Sequence, residues 1–264
     1  MYGFEYQRPD SVAKAVGAAG GEARYLAGGQ SLVQSMKLRL SSASTLVDLS
    51  GIDGLRGIAR DGSSVKIGAM SRHSEVARSA DVRGAIPALA DLAGSIGDPM
   101  VRNMGTLGGS IANADPAADY PAGLLGLGAT VQTDRRTIAA DDFFKDLFTT
   151  ALEPGELVVS VTFPAPQRAA YVKFKQPASR FALVGVFVSQ GASGVRVAVT
   201  GARSHVFRVS EMEQALARDF RPDAIAGIRI DTAGCNSDLH GSAEYRAAMV
   251  TVMAQRAVEK ALAG

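Results

Sequence analysis

The sequence predicts an α+β chain in three successive parts. Three observations carry this. Short β-prone runs alternate with helical runs up to Asp53. Two glycine-rich stretches stand where a strand or loop gives way to an apolar run. After Pro166 the pattern changes to long β-prone runs followed by one long amphipathic helix. Breaks near Asp53 and in the proline-bearing linker 164–168 divide the chain into 1–53, 54–166 and 167–264.

The first part reads as a β-α-β-α-β unit. An extended segment ends at Arg8-Pro9, because the residue before proline avoids helical backbone. Ser11 is placed to cap a helix over 12–19 that Gly20-Gly21 closes. Residues 24–26 form a short strand leading into Ala27-Gly28-Gly29-Gln30-Ser31. Residues 31–40 are helical, with Leu32, Met36 and Leu40 on one face, and 45–49 form the next strand.

The second part opens with a hairpin, 55–60 and 65–68, turning at Asp61-Gly62. A helix follows over 85–96 with Pro87 in its first turn. The stretch 102–110, Arg-Asn-Met-Gly-Thr-Leu-Gly-Gly-Ser, reads as a second glycine-rich loop. A helix over 116–127, capped by Asp115, short strands at 130–133 and 137–138 and a strong strand at 157–163 complete this part. The third part shows three antiparallel strands at 171–175, 181–189 and 195–200. A helix spans 210–219. A long helix over 242–262 carries Tyr245, Met249, Val252, Met253 and Ala257 on one side.

Composition excludes several classes. The net charge of +2 and the scattered basic residues give no nucleic-acid footprint. Cys235 is the single cysteine, and the three histidines lack ligand spacing, so no metal site is expected in the chain. The N-terminus is no signal peptide, and no apolar run reaches the ~18 residues of a membrane span. The expectation is a cytoplasmic protein. Neither a G-x-x-x-x-G-K-[ST] loop nor a G-x-G-x-x-G turn is present.

The two glycine pairs are therefore the candidate chemistry. Side-chain-poor backbone lets N–H groups approach an anion, and a helix N-terminus favours negative charge. Two such stretches suit one diphosphate held from both sides, although each also suits an ordinary tight turn. Asp119 suits either ligand hydroxyls or a solvated helix face. Lys173 and Lys175 suit either a reduced cofactor ring or a solvated strand face. No acid, base or nucleophile stands out, a combination that fits a cofactor-borne reaction.

These residues carry a resemblance. Phe4-Glu5-Tyr6-Gln7-Arg8-Pro9, Ala27-Gly28-Gly29-Gln30-Ser31-Leu32, Met36-Lys37-Leu38-Arg39, 102–113, Pro116-Ala117-Ala118-Asp119 and Pro154-Gly155-Glu156-Leu157 resemble the FAD-binding medium subunit of the xanthine dehydrogenase/carbon monoxide dehydrogenase type of molybdenum hydroxylases. The resemblance spans nearly the whole chain. It implies the p-cresol methylhydroxylase/vanillyl-alcohol oxidase FAD fold in two subdomains, plus a small C-terminal α+β domain with a three-stranded sheet. It implies FAD diphosphate contacts from the backbone and hydroxyls of Ala27, Gly28, Gly29, Gln30 and Ser31 and of Thr106, Gly108, Gly109 and Ser110. Leu32 and Asn113 belong to the same motifs. Asp119 would meet FAD hydroxyls, Ile96 and Leu157 would pack on the cofactor, and Lys175 would lie near the flavin end.

The resemblance further implies an oxidoreductase subunit that passes electrons from a 2Fe-2S subunit through FAD to an external acceptor. A large molybdopterin-binding subunit and a small 2Fe-2S subunit would be its partners, in a dimer of heterotrimers. Met100 stands where many relatives are polar, and the segment 202–206 lacks the usual proline. Two rival readings are a self-sufficient flavin oxidase or dehydrogenase and a flavin-free assembly module.

Overall fold

The computed structural model describes residues 1–264. The first part holds β1 (Glu5–Gln7), α1 (Val12–Ala18), β2 (Arg24–Leu26), α2 (Leu32–Lys37) and β3 (Thr45–Asp48). Both strand pairings are parallel, in the order β1-β3-β2, which the helical crossovers require. Ser11 Oγ accepts from the Lys14 N–H and caps α1. The helix α2 ends at Lys37, short of the expected Leu40. Arg39 takes left-handed backbone at φ 60°, which turns the chain out of the helix and leaves Leu38 and Leu40 exposed while Met36 is buried.

The second part holds β4 (Ile58–Asp61), β5 (Ser64–Gly68), α3 (His73–Arg78), α4 (Ala80–Ala85), α5 (Pro87–Ser95), α6 (Pro99–Met104), α7 (Leu107–Asn113), α8 (Tyr120–Leu127), β6 (Thr130–Thr133), β7 (Thr137–Ala139), α9 (Ala140–Phe143), β8 (Phe144–Asp146), β9 (Thr149–Thr150) and β10 (Val158–Pro164). Its main sheet is antiparallel, ordered β4-β5-β10-β6-β7. The hairpin turns at Gly62 with φ 57°, as its sequence predicts.

Three expectations need correction here. The stretch 102–110 is not a loop, since α6 and α7 occupy it. Asp98 caps α6 by accepting from the Val101 N–H at 2.9 Å, and Thr106 caps α7. The helix expected from Pro116 begins at Tyr120, because Asp115 spends its carboxylate on the Ala117 N–H in a separate turn. Asp119 therefore stands at the start of α8 and not one turn inside a helix. The helices α3 and α4 have no counterpart in the sequence reading.

The third part holds β11 (Arg168–Lys175), β12 (Ala182–Gly191), β13 (Gly194–Thr200), β14 (Phe207–Arg208), α10 (Ser210–Arg218) and α11 (Ala243–Ala263). The sheet has four antiparallel strands and not three, because β14 is two residues long and too short to leave a pattern. The buried face of α11 runs through Arg246, Val250, Met253 and Ala257, while Tyr245 is 44% exposed. The face is rotated because Arg246 turns inward, donating to the carbonyls of Leu183 and Gly201 and pairing with Asp238.

The helix α8 is buried on every side and packs against β12 and β13, joining the second and third parts. Its Gly126 lies against the Phe187 ring, where an added Cβ would stand 2.5 Å from Cδ1. Gly126→Ala is expected to cost about 1–3 kcal/mol of stability by overpacking, read as a lowered midpoint in denaturant with an unchanged slope.

Candidate functional site

A cavity of about 940 Å³ opens between the three parts, at the upper end of what small-molecule sites occupy. Both glycine motifs line it. The two are in direct contact, although 75 or so positions separate them in the chain. A Cβ on Gly28 would strike the Met104 carbonyl and stand 2.8 Å from Gly105 Cα. A Cβ on Gly109 would stand 3.5 Å from Ala27 Cβ. Gly28 is thus required by protein packing, and Gly29 by its φ of 70°.

The two motifs differ in what they offer. The backbone N–H groups of Gly28, Gly29, Gln30, Ser31 and Leu32 meet no protein acceptor. They form a run of donors at the entrance to α2. The amides of the second motif from Leu107 to Ser110 are already engaged. Leu107 donates to Ser71 O at 3.0 Å, Gly108 to Ala69 O at 2.8 Å, Gly109 to Thr106 Oγ1 at 3.2 Å and Ser110 to Thr106 O at 3.0 Å. The Gly108, Gly109 and Ser110 amides are therefore spent within the chain, and what this motif keeps for a ligand is the Thr106 N–H and the hydroxyls of Thr106 and Ser110. Thr106 keeps its own hydroxyl proton to donate, and Ser110 and Asn113 line the cavity with side chains unpartnered in the chain.

Asp119 lines the same cavity and is 5% exposed. Tyr171 donates to its Oδ1 at 2.5 Å, and Lys173 Nζ lies 3.0 Å from Oδ1 and 3.1 Å from Oδ2. Burial raises this carboxyl above the usual carboxylate range, against the pull of Lys173 and Tyr171. The solvated reading of Lys173 is thereby overturned, since its side chain is 6% exposed.

Ile96 and Leu157 supply apolar wall. Ile96 is held by Arg102, which donates to its carbonyl at 3.0 Å, and the Leu157 N–H donates to Asp134 at 2.7 Å. Of the expected site residues, Lys175 alone stands outside the lining. A β-bulge between Phe174 and Lys175 shifts the register there and leaves Lys175 exposed.

Sequence reasoning missed several wall residues. The turn 153–156 lines the cavity, pinned by Tyr25, which donates to Gly155 O at 2.8 Å. Its Glu156 is held down to about 2, first by the Arg136 guanidinium. Ser179 and Phe181 arrive from the third part. His73 had no partner pattern in the sequence, yet it is buried beside Tyr120 with ring centroids 5.4 Å apart. Its ring fills the place a Cβ on Gly105 would take, 2.5 Å from Nε2. No short motif signals these contacts, because each joins residues well separated in the chain.

A family model described as the FAD binding domain in molybdopterin dehydrogenase matches residues 2–166. The carbon monoxide dehydrogenase medium chain of Hydrogenophaga pseudoflava is 37% identical over 279 residues, covering 98% of this chain and 97% of that one. This chain belongs to the FAD-binding medium subunits of the molybdenum hydroxylases. The nicotine 6-hydroxylase medium subunit of Paenarthrobacter nicotinovorans is 34% identical, covering 91% of this chain and 90% of that one. The reconstituted CO dehydrogenase from Oligotropha carboxidovorans superposes with a TM-score of 0.90 at 34% identity, covering 99% of this chain and 98% of that one.

This medium subunit is thus an FAD-carrying oxidoreductase subunit, passing electrons from a 2Fe-2S subunit through FAD to an external acceptor. The molybdenum and iron–sulfur centres belong to the other subunits. No helix is long and apolar enough to cross a membrane. The cavity fits FAD on its own terms. A row of free amides suits a diphosphate, hydroxyls face it, a buried carboxylate suits sugar-type hydroxyls, and apolar walls extend beyond.

Burial, then the Arg102 charge, lowers the His73 imidazole to about 4. The unfolded chain takes its proton near pH 6.5 and the folded chain near pH 4, so stability falls as pH drops through that window. The loss is at most about 3 kcal/mol. His73→Leu should flatten that limb, read as the difference between wild-type and variant unfolding free energies from pH 7 to pH 4.

Proposed function

We propose that the free amides of the turn 28–32 hold the FAD diphosphate, with Thr106, Ser110 and Asn113 donating from the opposite side. That row of unpartnered backbone donors, packed against the second motif, is the observation that carries the reading. Asp119 accepts from a hydroxyl of the cofactor. Ile96 and Leu157 cover apolar surface, and Ala27, Gly29, Gln30 and Leu32 shape the first wall. Lys175 ends β11 and opens the loop that brings Ser179 and Phe181 to the cavity, and its charge acts from outside the lining, near the flavin end. Bound there, FAD supplies two-electron and one-electron chemistry that no side chain of this subunit supplies.

The residues 1–53, 54–166 and 167–264 act as three domains around this cavity. The relatives are named for carbon monoxide and for nicotine at 37% and 34% identity, which supports a substrate chosen outside this subunit. The assembly is a dimer of heterotrimers with a large molybdopterin subunit and a small 2Fe-2S subunit. A single half-buried Cys235 suits a cytoplasmic, reducing setting.

The test is FAD titration of the assembled complex after flavin removal. Ser110→Ala should weaken FAD about tenfold or more, as expected for losing a hydrogen bond to a charged group, while thermal stability of the flavin-free protein stays unchanged. Wild-type complex without flavin absorbance, or Ser110→Ala with wild-type affinity, would overturn the assignment.

A further inference from the structure

Asp119 belongs to the second part of the chain, but both side chains that hold it come from β11 in the third. Tyr171 and the Lys173 ammonium approach from behind the cavity wall, and neither lines the cavity. Room for the Tyr171 hydroxyl exists because residue 185 is glycine. A Cβ there would stand 3.1 Å from the tyrosine Cζ and 2.9 Å from Thr200 Cγ2.

Lone-pair counting then limits what Asp119 can do. Each carboxylate oxygen takes about two hydrogen bonds. Oδ1 accepts from Tyr171, with the Lys173 ammonium 3.0 Å away as its ion-pair partner. Oδ2 accepts from Lys173. Acceptor capacity therefore remains on a side chain that lines the cavity, enough to take a ligand hydroxyl. Asp119 makes no side-chain cap of α8, so the helix does not compete for it.

We propose that Lys173 is a positioning residue for the cofactor, holding the Asp119 carboxylate so that its remaining acceptor capacity meets a hydroxyl of FAD. The inference rests on FAD occupying the cavity. Lys173 acts through Asp119 and does not touch the cofactor. The other titratable groups around the carboxylate are Tyr171 from β11 and Tyr120 from α8, whose phenols burial raises well out of the neutral range. Lys173 is therefore the single group that neutralises Asp119 at ordinary pH. Without it, burial acts unopposed by any cation, and the carboxyl holds its proton to higher pH.

A double-mutant cycle on the assembled complex tests this, with FAD removed and titrated back under absorbance. Lys173→Met should weaken FAD about tenfold or more at pH 7 and recover part of the loss as pH rises, a profile that wild type lacks. On an Asp119→Asn background the same change should add less than about twofold, since its route of action is already gone. The double variant carries no buried charge, so this arm stands even where Lys173→Met alone fails to fold. A wild-type affinity for Lys173→Met, or a tenfold further loss in the double variant over Asp119→Asn, would overturn the role of Lys173. A wild-type complex that takes up no FAD overturns the reading of the cavity instead.

Discussion

The absence of one Cβ sets the geometry of this subunit. Gly28 rests on the backbone at Met104 and Gly105, and any side chain there would drive the two apart. Gly105 is constrained in turn by the His73 ring, and Gly108 by Ala69, where an added Cβ would stand 2.6 Å from that residue's own Cβ. These contacts form a continuous steric chain from α3 through α6 and α7 to the entrance of α2. Close-packed interiors transmit such constraints because they have no slack to absorb them. The consequence for function is direct. The turn 28–32 is fixed by van der Waals contact and by hydrogen bonds to its carbonyls, so its amides stay free for a ligand.

Much of this was legible in the chain. Period-two and period-three-to-four patterns located the parallel sheet, the hairpin at Gly62 and the long strands of the third part, because each depends on local residues. The glycine motifs marked the cavity. What they did in it was less legible, since glycine spacing reads the same whether the missing side chain makes way for a phosphate or for a carbonyl. Thr106 shows the difficulty. Its position before Leu107-Gly108-Gly109 is a helix cap in structure and a loop hydroxyl by composition. The inward Arg246 likewise defeated the pattern on α11, because its partners Leu183, Gly201 and Asp238 are fixed only by the tertiary fold.

Polar contacts join the third part to the second along one segment. Thr200 donates to the carbonyls of Pro116 and Ala118, and the Gly201 N–H donates to Pro116 O. Ser189 donates to Gly126 O, Arg196 to Leu125 O, and Arg196 also pairs with Asp141. Buried polar pairs add little net stability over apolar packing, but leaving one partner unmatched is expensive. Their effect here is to fix how α8 lies between the two sheets. Because Asp119 begins that helix, the same contacts set where the carboxylate stands in the cavity wall.

The family match stops at residue 166, whereas Tyr171, Lys173, Ser179 and Phe181 lie beyond it. A shortened polypeptide ending at that limit would keep both glycine motifs intact. It would also take Tyr171 and Lys173 from Asp119 and Ser179 and Phe181 from the cavity wall. The cavity is therefore walled from both sides of that limit, and the stretch 171–181 is part of the container rather than an appendage to it.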